Sequence, residues 1–505
     1  MQINVYSHGF EISRVREVRE RSVIHEFCKP LIQYELKKVR GRFVRSPARV
    51  YAFATKDQTR FRFHVNQLRD FIDLLAKRGF KEKEDYTLRY HDAHVDDFPI
   101  VGFKWKSPKS PREDQLPVIE KAMEPGAIKM IGAEPGFGKT LIALWIGKEL
   151  GLRSMYMFKG GYVSRWVEAF EEYYDLEPGD LCVVRGSAMF INLMEDALNG
   201  ATLPKIIVVT NRTMLDYLKD YRETNGKSKM YPIKPGELYQ KLGIGYVVKD
   251  ELHQEFHLNY RIDLFTHTLK SVSLSGTLES TDQFMERIYD IGYPVVERIV
   301  GGASEPYIAA TALLYELEEP NRAKYMGPMG YSHNKFENYI MGNKKLLERY
   351  LDMFVWVTKV YYDSVMEPGQ KMLHFCSSVE MCLLVRDHLR KAYPHFVINK
   401  YTEEDNYEVL LESDISVSTV LSAGTAVDIP GLLTTYMSIA IDSVKSNKQA
   451  LGRTRRFKDR PDIFPNFVYA VCMVIQKHVD YHYNKRGYFR GKVVSHKERR
   501  YYHKI

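Results

Sequence analysis

The stretch Ala133–Thr140, AEPGFGKT, constrains this chain more than any other. The apolar run KMI precedes it and the helical pattern LIALWIGKEL follows it. A strand that turns through glycines into a helix N-terminus is the setting a phosphate-binding loop requires. Gly136 and Gly138 let backbone N–H groups turn inward around an anion, with Pro135 and Phe137 completing the loop. Lys139 would reach β- and γ-phosphates, and the Thr140 hydroxyl would hold Mg²⁺.

A second site follows at VVKDELH, Val247–His253, where an apolar strand ends in two acids. Asp250 at the strand tip would bind Mg²⁺ through water, and Glu251 would polarise an attacking water. Acids also favour the positive end of a helix dipole, so the pair alone could mark an ordinary helix start. Its place downstream of a phosphate loop, with apparent strands between, favours the chemical reading.

A phosphate loop followed by a strand-end Asp-Glu is the ATPase half of a RecA-like lobe. From this order the chain resembles superfamily 2 helicases of the DExH type over roughly Lys109 to Asp459. The resemblance implies two tandem RecA-like parallel-sheet lobes of α/β class, with ATP and Mg²⁺ as cofactors. It also assigns roles. His253, Ser275 and Thr277 (in SGT) and Gln449 would couple nucleotide state to nucleic-acid binding. In PREDQ, Gln115 would read the adenine edge and Arg112 would stack on it, although Asp114 stands where the family carries an aromatic. In SAGTAVDIP, Gly424 and Asp428 would meet nucleotide and Thr425 backbone phosphate. QALGRTRR supplies Arg453 and Arg456, three apart on an expected helix and so on one face, to stabilise charge on the γ-phosphate.

Nucleic-acid contacts are read from position in the same scheme. Lys159 and Arg165 follow one strand, and Thr210 and Arg212 another. HFCSSVEM, His374–Met381, lies where the second lobe's first contact motif is expected. Upstream, RGRFVRSPARVYAF and TRFRFH interleave basic and aromatic residues, making Arg42, Arg45, Arg60 and Arg62 candidates to grip phosphates. A small sheet with cationic edges that discourage aggregation would look the same.

With 505 residues, the chain is expected to hold roughly three domains of about 150 residues. Residues 1–105 read as a small α+β nucleic-acid-binding domain, 106–300 as the ATP-binding lobe and 301–345 as a connection. Residues 346–480 read as the second lobe, and 481–505 as a basic-aromatic C-terminal segment. The net charge of +9 suits a polyanion partner. Five scattered cysteines without a CxxC pair predict neither disulfides nor a metal cluster. Met1–Arg21 is dense in charge and has no apolar core, so no signal peptide is expected, and no run is long enough to span a bilayer. A soluble, cytoplasmic, monomeric motor without membrane contact is expected, in the host cytoplasm if phage-encoded.

Within the superfamily, the compact lobes with SGT, GT-x-x-D and QxxGRxxR resemble phage branch-migration and recombination helicases of the UvsW type, which carry a small N-terminal domain; restriction translocases and fork-regression enzymes share the resemblance. That similarity implies a DNA helicase or translocase acting on Holliday junctions, forks and D-loops. An RNA-directed DExH helicase and a restriction-type duplex translocase subunit are the alternatives.

Overall fold

The computed structural model describes the chain apart from residues 40–41, 134–135, 277–281, 302–305, 328–329, 403–404, 407, 421–428, 455, 458–459 and 461, and the side chains of 36–39, 42–43, 445 and 449. Pro135, Thr277, Gly424, Thr425 and Asp428 therefore lie outside the described residues, as do the side chains of Arg42 and Gln449. The chain forms two compact units, Met1–Gly302 and Ala303–Ile505.

The first unit is built on a seven-stranded parallel sheet. Its spatial order is Leu181–Val184, Ile206–Thr210, Ser154–Phe158, Tyr246–Lys249, Lys270–Ser275, Ile128–Gly132 and Arg298–Val300. Strands covered on both faces read as continuous apolar runs, which is why IIVVT and SMYMF are nearly all buried. The strand before the phosphate loop lies beside Lys270–Ser275, which lies beside the strand bearing the acids. The registers Gly132↔Ser275 and Lys249↔Ser273 bring the loop, Ser275 and Asp250 to one sheet edge. That edge, outside the carboxyl ends of parallel strands, is where such sheets hold ligands.

The helix opening at the loop, Lys139–Leu150, is pinned from below. Tyr246 donates to the Ala143 carbonyl at 3.0 Å, and Tyr174 donates to that of Leu144. Gly147 leaves room for them, since a Cβ there would meet the Tyr174 hydroxyl at 3.0 Å. Gly151, at φ +64°, ends the helix in the left-handed conformation that glycine adopts without steric cost.

The leading segment is not a free-standing module. Its five-stranded mixed sheet runs Phe53–Ala54, Phe61–His64, Gly9–Ser13, Gln2–Val5 and Thr87–Tyr90. One side carries the helices Val18–Cys28 and Leu68–Lys77, with Phe10, Phe27 and Phe63 packed on Phe71. Beyond the sheet, Phe53 meets Phe265 edge-on at 4.8 Å and Tyr51 meets Tyr260 at 5.3 Å. One hydrophobic core runs from Ile3 to Tyr293. The segment Lys104–Arg112 that follows is strapped down too: Trp105 packs against Trp145 and Tyr173, and Lys109 pairs with Glu172. Among the described residues, strands Ile32–Val39 and Arg42–Val50 pair with each other as a separate two-stranded ribbon.

The second unit carries another seven-stranded parallel sheet, ordered Ile398–Tyr401, Ile415–Thr419, Lys371–Cys376, Leu432–Met437, Asn466–Cys472, Ile308–Tyr315 and Val493–Arg500. Two boundaries read from sequence move here. Ile308–Tyr315, expected inside a connection, is a buried strand of this sheet. The expected C-terminal tail supplies part of the helix Gln476–Phe489 and the edge strand Val493–Arg500.

Candidate functional site

Gly136 and Gly138 sit at φ +90° and +91°, a region that L side chains rarely adopt, so the loop's shape depends on glycine there. Gly138 is also crowded by the Gln115 carboxamide, which a Cβ would strike. Gln115 is buried; it accepts the Arg112 N–H at 2.9 Å and donates to the Phe137 carbonyl at 2.5 Å. Arg112 donates to the same carbonyl at 3.1 Å, lies 5.7 Å from the Phe137 ring centroid and pairs with Asp114. The two residues expected to read adenine are thus joined to the phosphate loop itself. Lys139 donates to the Ala133 carbonyl at 2.6 Å, spanning the loop from its far end, and half-buried Thr140 follows in the first helical turn.

Asp250 is held at both oxygens. Its Oδ1 accepts the Glu251 N–H at 2.8 Å, and its Oδ2 accepts the Trp166 indole N–H at 2.9 Å. Burial, reinforced by the Glu251 charge, pushes the Asp250 carboxyl up to about 6. Glu251 occupies φ +48°, uncommon for a side chain that is not glycine or asparagine, and such outliers concentrate at working sites. His253 Nδ1 lies 3.5 Å from the Glu251 carboxylate and is hydrogen-bonded to Ser275 Oγ at 2.9 Å. The acid strand and the neighbouring Ser-Gly segment are therefore joined by a side-chain bridge.

The same segment reaches two further strand ends. Gln254 accepts from the Tyr162 hydroxyl at 3.0 Å, while Glu255 accepts from Asn211 at 3.0 Å and lies 3.9 Å from Lys159. Lys159, Arg165 and Arg212 are exposed on this edge. Thr210 is used locally: its hydroxyl caps the helix Asn211–Glu223 by accepting from the Thr213 N–H. Sequence reasoning missed Trp166, Tyr162, Gln254 and Glu255. A buried indole N–H demands an acceptor, but nothing local said that the acceptor stands 84 residues away.

Two expectations change. Arg62 is buried rather than presented to a polyanion. It pairs with Glu11 at 2.9 Å, donates to the Leu264 carbonyl at 3.1 Å and lies over the Phe265 ring at 4.4 Å. The alternation that places Phe61 and Phe63 on one face of this strand put Arg62 on the other, and that face is covered by the first unit's own chain. Arg60 is half-exposed, and Arg45 is exposed with its guanidinium 4.3 Å over Tyr34. Arg453 and Arg456 do not share a helix face either. The helix Val444–Leu451 ends at Gly452, and the Thr454 hydroxyl, bonded to Thr435 at 3.2 Å, turns the chain onto the sheet. Arg453 is buried and Arg456 exposed.

In the second unit, the sheet's carboxyl edge opens on a hollow of about 1090 Å³ lined in part by Tyr331, Ser377, Lys400, Thr402, Asp442 and Tyr481. Ser378 caps the helix Val379–Ala392, whose N-terminus also faces the buried carboxylate of Glu337.

Over 251 residues, 49% of this chain, it is 25% identical to the protein named "Probable helicase D10" of Escherichia phage T5. The sequence likeness is to a helicase. It covers 46% of that relative, so the chain matches less than half of the relative's length. A fragment described as an HsdR subunit of a type I restriction enzyme from Vibrio vulnificus YJ016 aligns over 93% of this chain and 78% of its own, at TM-score 0.50 and 15% identity. The Hef helicase domain of Pyrococcus furiosus aligns over 74% of this chain and 98% of its own, at TM-score 0.43 and 13% identity. No family model matches. The fold is that of two tandem RecA-like lobes with a small mixed sheet before the first. Among the described residues no helix is long and apolar enough to cross a membrane.

Proposed function

We propose that this chain is a superfamily 2 DExH-type motor of the UvsW kind, an ATP-dependent DNA helicase or translocase that remodels forks, Holliday junctions and D-loops. The carrying observation is that one sheet edge gathers Lys139, Asp250, Glu251 and the His253–Ser275 bridge. The residues fit ATP with Mg²⁺. The loop's shape depends on glycines at 136 and 138, the second packed too closely on Gln115 to carry a side chain, and a carboxylate fixed at both oxygens faces the end of the same sheet. Bound Mg²⁺ supplies charge neutralisation across the β- and γ-phosphates.

The chain's own residues would do the rest. Lys139, which donates to the Ala133 carbonyl, would turn to phosphate oxygens; Thr140 and Asp250 would hold the metal; and Glu251 would orient the attacking water and take its proton. His253 passes the state of Glu251 to Ser275. Arg453 and Arg456 would answer to the γ-phosphate, and a contact that depends on that ligand would provide the differential binding a motor needs. Lys159, Arg165 and Arg212 would hold the DNA backbone, as would Arg45 and Arg60 of the leading segment.

The test is ATP hydrolysis and strand separation by the full chain on four-way junctions, forks, linear duplex and single-stranded RNA. Stimulation greatest on branched DNA is expected. Greatest stimulation by RNA would replace the reading with an RNA helicase. Hydrolysis on linear duplex without strand separation would replace it with a restriction-type translocase.

A further inference from the structure

Asp250 is not held by the phosphate loop's neighbours alone. The donor on its Oδ2 comes from the helix Val163–Tyr173, which opens directly after the loop carrying Lys159. Trp166 is 1% exposed and clamped among aromatic rings. It lies nearly parallel to Phe158, 5.5 Å between centroids at 10°, and tilts against Tyr156 at 5.2 Å and Phe170 at 5.8 Å. Phe158 ends its strand immediately before Lys159. Close-packed rings move as a block, because a gap of half an ångström already forfeits much of their contact energy. A displacement of the 159–165 segment is therefore delivered to the indole N–H. Two further ties, Tyr162 to Gln254 and Lys159 to Glu255, join the same two segments, so the link is a seam rather than a single bond.

We propose that Trp166 is a positioning residue whose indole N–H ties Asp250 to the segment 159–165, so that a nucleic-acid backbone held by that segment and a metal-bound nucleotide at Asp250 each tighten the binding of the other. This rests on the motor reading above. The coupling is reciprocal by linkage: whatever factor DNA adds to nucleotide affinity, the nucleotide adds to DNA affinity. Outer-shell groups that orient a metal's ligand typically change metal affinity by about 10–100-fold.

The experiment uses the full chain with two replacements at 166. Trp166→Phe keeps an aromatic ring without the N–H. The sulfur isostere β-(3-benzothienyl)alanine keeps ring shape and volume and removes only the donor. Binding of Mn²⁺ with a non-hydrolysable ATP analogue is measured with and without a forked DNA, and DNA binding with and without the analogue. Both variants should bind Mn²⁺ about 10–100-fold more weakly, and the factor by which DNA and nucleotide strengthen each other should fall towards one. Metal-free nucleotide affinity should stay as in the unmodified chain for both; the isostere should also keep the melting temperature, whereas Trp166→Phe lowers it by opening a gap among the rings. An isostere variant with unmodified Mn²⁺ affinity and an unmodified coupling factor overturns the proposal and makes Trp166 a core residue with a satisfied N–H. If the unmodified chain binds Mn²⁺–nucleotide but shows no mutual effect with any nucleic acid, the motor reading itself fails. In that case the Mn²⁺ affinities alone still decide whether the indole positions Asp250.

Discussion

The two units repeat one architecture and spend it differently. Each has a sheet of seven parallel strands with a carboxyl edge. On the first edge, charged groups are already bound to fixed partners: Lys139 to a carbonyl, Asp250 to two donors, His253 to Ser275. The second opens on a hollow whose lining mixes hydroxyls and rings with the charged Lys400 and Asp442; of the two arginines expected to act on phosphate, Arg453 is buried and Arg456 exposed. A parallel sheet thus supplies a place for chemistry but not the chemistry. A site that must orient water and metal needs its groups fixed in advance.

The sharpest way to break this contrast is Arg456→Ala. If the second unit contributes a charge that forms its bond only at the γ-phosphate, single-turnover ATP hydrolysis should fall about 10³–10⁵-fold, as for arginine fingers generally. Unchanged hydrolysis would leave all the chemistry in the first unit. Next is Glu251→Gln, which keeps shape but cannot accept a proton. Hydrolysis should drop about 10²–10⁴-fold while ATP binding persists; equal loss of binding would mean that Glu251 shapes the loop and is not the base.

How far the sequence disclosed this follows from locality. The phosphate loop and the acid pair announce themselves because each is a local strand-to-loop pattern whose meaning lies in its own few residues. Ile308–Tyr315 stayed hidden because its run of alanines and leucines is followed by a long polar stretch, and its partners arrive 150 or more residues later. Val493–Arg500 stayed hidden for the opposite reason: VVSHKERR looks like a charged tail because charge is how an edge strand avoids further pairing. Arg62 misled for a third reason. Alternation says that a residue faces away from its neighbours, not whether that second face meets water.

Arg62→Ala turns that last point into a measurement. It strands Glu11, 7% exposed, with its nearest donor gone. Breaking a buried pair in this way costs about 3–5 kcal/mol. Because the leading sheet and the seven-stranded sheet share one core, the loss should appear as a lower melting temperature for the whole first unit. Arg60→Ala, at a half-exposed position, should leave that transition nearly unmoved. A large drop in DNA affinity for Arg62→Ala without loss of stability would restore Arg62 to the binding surface.

The smallest effect separates the units by acid. In the second unit, burial holds His333 and His374 down to about 3 and His478 well below the usual imidazole range. An unfolded histidine takes its proton near 6.5, so the unfolded chain binds more protons than the native one between the two values. Stability of this unit is therefore whole above about pH 6.5 and declines as the pH falls towards 3, by up to about 1.4 kcal/mol per pH unit for each histidine. His374→Gln offers nothing to protonate, and its amide can still meet the Thr358 hydroxyl that the imidazole contacts at 3.1 Å. In denaturant unfolding of the full chain between pH 7 and 5, this variant should flatten the acid dependence of the second unit's transition by one histidine's share. The first unit's transition should keep its slope, because its own low-titrating histidines, His8, His64, His257 and His267, are untouched. Equal flattening of both transitions would mean that the units do not unfold as separate bodies, and the contrast between their edges would have to be redrawn as one between two ends of a single cooperative structure.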